Sequence, residues 1–372
     1  MRPTTYTLGV ITCRIAKKFP PFLETEYIKS LTREGKPLGI RLITFNPMDV
    51  DWTRRKVTAW SYDLPTDKWL KEEHPLPRLI YDRCYYLDSR QYLAYKPHIS
   101  RMNQDPNILF LGKALGGKLQ TYKMLQQEPS LRPYLPPTQK LQNTQELLSA
   151  LRSHSSILIK PNGGSHGRGV AAIIPEENTI RVWGRSKANR RFHIKLHSTK
   201  TLLLWARRFI GNTRYIVQPY LNLTTSDGRP FDIRILVQKD RSGTWTTTGM
   251  AVRSGNRNSL TSNLHGGGRA EQAQSFLSKN FPPNKVSEIM DAIRFLSIHV
   301  PKQIESQHGR LLELGLDVGI DRRGHVWVLE ANSKPGRSVF LMTGEKETRM
   351  RSIQLPIQYA LTLFRSLTGG SV

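Results

Sequence analysis

Glu330 and Asn332 stand two residues apart at the end of an apolar run, Val326-Trp327-Val328-Leu329. A strand has a side-chain period of two, so both project from one face. Asp317 lies in the preceding apolar run, "LELGLDVGI", and the short turn "DRRG" makes the two runs antiparallel neighbours. The three side chains then converge. Oxygen donors alone, two of them charged, suit Mg²⁺ or Mn²⁺ shared with substrate phosphates. The alternative is a set of solvent-facing polar residues on a hairpin. Val326, Val328 and Leu329 argue against it, because they require a buried sheet.

Phosphates need donors as well as a cation. "LIKPNGGSHGRGV" (158–170) places Lys160 at the end of an apolar strand, followed by a loop with Gly163, Gly164, Ser165, Gly167 and Gly169. Such a loop brings backbone N–H groups close to phosphate oxygens, and Lys160 and Arg168 add charge. Taken alone, the segment reads equally well as an ordinary glycine-rich turn. "GKALGGKL" (112–119) fits G-x-x-x-x-G-K, but Leu119 replaces the hydroxyl that binds Mg²⁺ in a P-loop. Gly112 and Gly116 therefore read as a loop entering a helix. "RPFDIRILV" puts Asp232 and Arg234 on one strand face, and "SNLHGGG" (262–268), with Asn263 and His265, is a polar glycine loop. Singly, these read as a salt-bridged strand and a surface turn.

The chain of 372 residues exceeds what one core usually serves, so two or three domains are expected. It carries 56 Lys and Arg against 29 Asp and Glu, a net charge of +27, and so attracts anions. Cys13 and Cys84 form neither a metal spacing nor a disulfide framework, which fits a reducing interior. The N-terminal apolar stretch is too short and interrupted for a signal peptide, and no apolar run approaches the ~20 residues of a spanning helix. A soluble, intracellular protein is the expectation.

The elements that must position these residues follow from hydrophobic period and punctuation. Strands are predicted at 6–13, 38–47, 56–63 and 78–83 with a helix at 24–35, giving a small α/β domain over 1–110. A helix over 116–129 and another over 144–153, capped by Thr144, precede strand, glycine loop and strand over 156–174. Paired strands with basic turns follow, then strands at 215–221 and 231–240. A long amphipathic helix over 287–306, broken at Pro301, leads to the hairpin and a C-terminal helix. The expected units are 1–110, 111–220 and 221–372.

In order along the chain, these pieces resemble the ATP-grasp superfamily. The matching positions are Lys118, Lys160 with its glycine loop, the linker "VQPYL" (217–221), "DIR" (232–234), and Asp317, Glu330 and Asn332. "SNLHGGG" and "NSKPG" are similar to segments of ATP-grasp peptide ligases. The likeness spans about residues 110–345, and "EANSKPGRS" with the Tyr-rich N-terminal part is similar to the YheC/YheD family of spore-forming bacteria. The resemblance implies a mixed α+β and α/β architecture, in which two α+β subdomains clasp ATP behind a small α/β domain. It implies ATP with Mg²⁺ or Mn²⁺, and an ADP-forming joining of a carboxylate to an amine through an acyl phosphate. Lys118 and Lys160 would neutralise phosphates, and Gln218, Pro219, Tyr220 and Leu221 would hold adenine. Many relatives carry Glu at position 219, but proline keeps the carbonyl that recognition uses. Asp317, Glu330 and Asn332 would hold the metal, Arg234 the transferring phosphoryl group, and Arg337, His265 and Asn263 the substrates. Asp227 is a candidate for the ribose. A non-catalytic coat or scaffold role, with acidic coat components as partners and a cytoplasmic or spore-associated setting, is the alternative. A nucleic-acid role has only charge behind it, without a recognition helix or stacking motif.

Overall fold

A computed structural model describes residues 6–164, 167–257, 259–260, 262 and 268–368. The first unit is built on β1 (Tyr6–Ile11), α1 (Thr25–Gly35), β2 (Ile40–Phe45), β3 (Val50–Asp51), β4 (Lys56–Asp63), β5 (Lys68–Pro75), β6 (Leu79–Asp82), α2 (Ser89–Gln104) and β7 (Leu109–Phe110). Its sheet runs β3-β4-β2-β1-β6-β7, with β5 on β4. β1 is parallel to β2 and β6, so the loops after β1 and β6 leave the same edge. Cys13 and Cys84 lie just past those strand ends, both free and buried. α2 was not legible from period, because only Tyr95 and Met102 are buried along its length. Its start is local chemistry: Asp88 accepts from the Gln91 amide at 2.8 Å.

The second unit follows α3 (Lys118–Gln126). It comprises β8 (Gln139–Leu141), α4 (Glu146–His154), β9 (Ile157–Pro161), β10 (Val170–Pro175), β11 (Ile180–Arg185), β12 (Arg191–Leu196), α5 (Thr199–Ile210) and β13 (Tyr215–Pro219), with sheet order β12-β11-β10-β9-β13-β8. One face packs on α4 and α5: Ile157, Ile159, Ala171, Ile173 and Val182 meet Leu147, Leu202 and Ala206. The side chain expected to cap α4, Thr144, does not. Asn143 Oδ1 takes the amides of Gln145 and Glu146 at 3.0 and 3.3 Å, and Glu146 accepts from the Gln142 amide at 2.8 Å. An Asx turn one residue earlier has satisfied the orphan donors.

The third unit contains β14 (Phe231–Lys239), β15 (Trp245–Ser254), β16 (Arg269–Gln272), α6 (Ala273–Asn280), α7 (Pro283–His308), β17 (Glu313–Ile320), β18 (Val326–Asn332), α8 (Ser338–Met342) and α9 (Lys346–Thr368). The sheet β16-β15-β14-β17-β18 is antiparallel throughout. The helix expected to break at Pro301 continues to His308. Proline deletes one backbone bond, but Val300, Pro301 and Ile304 are all buried, and packing holds the helix through the lost bond. Met124, Leu125 and Leu131 join this core rather than that of the second unit. α9 returns to the first unit, where Ile353, Ile357 and Phe364 pack with Leu8, Val10 and Leu31.

Candidate nucleotide and metal site

β17 and β18 pair Asp317 with Glu330 and Gly315 with Asn332. A strict period of two would send Glu330 to the same face as Val326 and Val328, which lie in the core. A bulge prevents this. Val318 pairs with Val328 while Asp317 pairs with Glu330, so Leu329 is the extra residue. Beyond it the alternation inverts: Ala331 enters the core, and Glu330 and Asn332 join Asp317 on the opposite face. The bulged Leu329 presents its carbonyl to Lys160 Nζ at 3.5 Å.

Asp317 is buried and forked by Arg234, with Nε at 2.5 Å and Nη2 at 3.0 Å from its two oxygens. Arg253 Nη2 adds a contact at 3.1 Å. Burial alone would raise the Asp317 pKa. The two guanidiniums outweigh it and hold the carboxyl at about 2. Arg253 also bonds Asp232 at 2.6 Å, and Ser262 donates to the other Asp232 oxygen. Glu330 pairs with Lys118 Nζ at 3.2 Å.

Lys118 is the first residue of α3, and Asn162 fixes that helix start. Its carbonyl accepts the Lys118 amide at 2.9 Å and its Oδ1 the Leu119 amide at 2.8 Å. A Cβ at Gly117 would lie 2.5 Å from Asn162 Nδ2, so only glycine lets the two loops meet this closely. Lys118 Nζ donates to the Gly164 carbonyl at 2.9 Å, tying the helix start to the glycine loop. Gly164, with φ of 107°, adopts a backbone that glycine alone takes readily. Lys160 points into the same space. Burial first, and then the Lys118 charge, pull its pKa from 10.5 to about 8 against the opposing pull of Glu330 and Asp317. Four charged groups from four elements thus share one cleft.

A model of YheC/D-like ATP-grasp domains matches residues 107–363. The chain belongs to the YheC/YheD ATP-grasp family. It is 31% identical over 327 residues to the endospore coat-associated protein YheC of Bacillus subtilis (strain 168), covering 87% of this chain and 88% of that one. Among solved structures it is similar to D-cycloserine synthetase DcsG, with a TM-score of 0.55 and 13% identity over 95% of this chain and 99% of the other. It is also similar to D-alanyl-alanine synthetase A from Vibrio cholerae O1, with a TM-score of 0.52 and 9% identity over 97% and 99%. Those two likenesses show the fold, and it is the ATP-grasp fold.

Within this ATP-grasp frame the other expected residues are placed unevenly. Gly163, Gly167, Arg168 and Gly169 lie in the loop after β9, whereas Ser165, Asn263 and His265 lie outside the described residues. Gln218 is buried and its Nε2 donates to Thr138 Oγ1 at 2.6 Å, which ties β13 to the segment before β8. In the segment after it, Pro219 ends β13 and the Tyr220 amide donates to the Ser156 carbonyl at 3.0 Å. The Leu221 amide has no hydrogen-bond partner among the described residues. Asp227 is held by Thr225, by Arg229 Nε at 2.8 Å and by Arg257 at 3.1 Å, which keep its carboxyl far below the usual range.

Arg337 sits apart from the other expected site residues. It is buried over the Tyr27 ring at 4.1 Å, and its donors go to Glu313 and to the carbonyls of Pro335 and Ser352. A substrate carboxylate at Arg337 would have to displace Glu313. The buried network around it had no sequence motif. Arg83 donates to Glu24 at 2.8 and 2.7 Å and to Glu313 at 3.0 Å. Lys334, two residues beyond Asn332, bonds Asp82 and the Cys84 carbonyl at 2.8 Å each. Arg253 and Asn162 were also missed; the one sequence signal was Asn162 itself, beside the glycine loop. No helix among the described residues is long and apolar enough to cross a membrane.

Proposed function

We propose that this ATP-grasp protein is an ADP-forming carboxylate–amine ligase that binds ATP with Mg²⁺. The observation that carries the reading is the convergence of Lys118, Lys160, Asp317 and Glu330 on one cleft between the second and third sheets. The donor set fits a hard cation: two carboxylates on paired residues and the amide of Asn332 two pairs along on the same face, all offering oxygen. Among the described residues no group of three or more His, Cys, Asp or Glu is poised to hold a metal. The Asn332 amide and phosphate oxygens therefore have to complete the shell, which suits a cation that arrives with its nucleotide. When bound, that cation would neutralise phosphate charge and polarise the transferring group.

The chain's own residues divide the remaining work. Lys118 and Lys160 supply positive charge to the phosphates, and the glycine loop offers amides. The free Leu221 amide and the Pro219 carbonyl suit the adenine edge. Arg234, released in part from Asp317, would meet charge growing on the transferring phosphoryl group. A substrate carboxylate oxygen attacks the γ-phosphorus, and the bond to the ADP oxygen breaks. An amine then attacks the acyl carbon, phosphate leaves, and the nitrogen loses a proton. The first test is a mass-spectrometric search, over pooled amino acids and peptides, for products formed only with ATP and Mg²⁺, with ADP release measured in parallel.

A second reading is an ATP-binding component of the spore coat that does not turn over. The name of its Bacillus subtilis relative and the net charge of +27 favour it. It expects saturable Mg-ATP binding with no ADP release on any pool.

A further inference from the structure

The second unit's sheet has two unlike faces. Val182, Phe192 and Ile194 turn toward α5, where Phe192 meets Trp205 and Phe209 at 6.0 and 5.4 Å. The other face carries Leu158 and, two residues on, Lys160. Leu158 pairs with Ala172, Ala172 with Trp183, and Trp183 with His193. In the flanking rows Arg185 pairs with Arg191 and Arg181 with Lys195. The lysine of the nucleotide site thus shares a face with two rows of stacked cations at the sheet's outer edge, and Arg185 and Arg191 stand at its end of that face.

Lys and Arg commonly guard an exposed edge strand. This arrangement goes further in three ways. Like charges directly opposite one another destabilise a sheet, yet both flanking rows are like-charged. No Asp or Glu occurs between Glu177 and Asp227, a stretch that holds all the Lys and Arg of β11, β12 and α5. Donors are also left over. Arg185 is buried, bonds Asn189 at 2.8 Å through Nη1, and has an Nε without a partner among the described residues, as does the Trp183 indole Nε1. Among the described residues the one ion pair made by these four cations is that of Arg181 with Glu176 at 2.9 Å. Burial, and then the Arg191 charge, lower the Arg185 pKa.

We propose that the β11–β12 edge binds an extended acidic polypeptide segment, which adds to β12 as a further strand and lays carboxylates at alternate positions against Arg191 and Lys195. β12 is the last strand of its sheet, and among the described residues it pairs only with β11. Its backbone donors and acceptors on the outer side are therefore available, the arrangement that strand addition uses. Arg191, His193 and Lys195 are exposed at a spacing of two, the period of a paired strand. Rings are present too, Trp183 and His193 on this face with Tyr220 6.4 Å from Trp183, but a nucleic acid makes no use of the open backbone edge of β12 and a peptide strand does.

The test is direct binding without nucleotide, so its outcome is separate from that of the ligase reading. The probe is a fluorescent peptide of alternating Glu and Thr, titrated at low salt onto the full chain. Arg191→Glu with Lys195→Glu should weaken binding about tenfold, roughly the loss of two reversed ion pairs. Arg33→Glu with Lys36→Glu, exposed residues of the first unit, makes the same change in net charge and should leave affinity unchanged. A peptide of the same sequence N-methylated at every backbone amide keeps its charge but has no N–H to give β12, and should also bind about tenfold more weakly. Equal loss in both double variants, or equal binding of the N-methylated peptide, overturns the proposal. So does tighter binding of a single-stranded oligonucleotide that depends on Arg191 and Lys195. Melting curves check the fold, and Arg191→Gln with Lys195→Gln carries the test should the reversals not fold.

Discussion

Lys160→Met separates what the proposed ATP cleft does for nucleotide from what it costs the fold. The ammonium is held in a largely buried position, and its pKa falls from 10.5 to about 8. A folded-state pKa below the unfolded one means that the folded chain binds fewer protons between those values. Stability therefore rises with pH through that window; the penalty is full below about pH 8 and gone above about 10.5. A fall from 10.5 to about 8 sets a ceiling of about 3.4 kcal/mol, at about 1.36 kcal/mol for each tenfold change in proton affinity. The side chain keeps some exposure and a long contact to the Leu329 carbonyl, so about 1–2 kcal/mol is the working figure. Met preserves the length and drops the charge. The apo variant should be more stable than the wild type by that amount at pH 7, and the difference should shrink toward pH 10.5. ATP binding should fall by about 1.5–3 kcal/mol, the range of a charge-assisted contact. Denaturant melts at pH 7 and pH 10, with ATP titrations by calorimetry, read both. A variant that is less stable at pH 7, or a pH-independent difference, refutes the burial reasoning. Unchanged ATP affinity removes Lys160 from the site.

Glu330→Gln should nearly abolish ATP turnover while leaving the melting temperature without Mg²⁺ almost unchanged, because the Lys118 pair it breaks is partly exposed; if Mg-ATP stabilises variant and wild type equally, β18 holds no metal. Asp317→Asn should cost about 3–5 kcal/mol in denaturant melts, since it leaves Arg234 and Arg253 without their shared carboxylate. The Asp317 carboxyl is lowered from 3.8 to about 2, so its contribution is present above pH 3.8 and is lost as pH falls through about 2; acid titrations of the variant should lack that loss. Arg83→Leu should cost a similar 3–5 kcal/mol, roughly, by stranding Glu24 and Glu313, and a change below about 1 kcal/mol would show the network to be wet. Binding of polyglutamate should weaken steeply between low and physiological salt, and salt-independent binding would make the +27 a solubility feature only.

The sequence brought candidate residues together where a residue type and a local period coincide. Asp317, Glu330 and Asn332 could be placed together because an apolar run fixes a strand and "DRRG" fixes a turn. Strict alternation was nevertheless not enough. It brings Glu330 to the face of Val328, and the Leu329 bulge turns it away. A bulge has no signature of its own in this stretch, so its presence had to come from the requirement that a carboxylate avoid the core. Lys160 was legible from its glycine loop and Lys118 only through the family resemblance, but Asn162, which seats the Lys118 helix, was not: one residue accepting from two backbone amides looks like any loop asparagine. Pro301 and Thr144 show the opposite limit, where local preference lost to packing and to a competing cap. β5 and α2 were missed because β5 has one buried residue and α2 two, too few for a period to show.

Long-range partners were the least legible, and they settle how the first unit meets the rest. Arg83, Glu24, Glu313 and Arg337 come from four separate places in the chain and close into one buried network, joined by Tyr81 at 2.5 Å from Glu313. An apolar contact of the same volume would cost less desolvation. Directional bonds do something an apolar contact does not: they fix angle as well as distance. Glu313 opens β17, the strand that four residues later presents Asp317, and Arg337 follows the turn after β18. Lys334 repeats the pattern by binding the end of β6 from two residues past Asn332. The strand ends of the first unit are thus tied to both strands that carry Asp317, Glu330 and Asn332. A first unit that merely packed would leave its angle to the cleft free, and a ligase of the proposed kind would need that angle fixed. The buried charges therefore read as a device for holding the first unit in register with the cleft, and Arg337, expected at a substrate, lies within that frame.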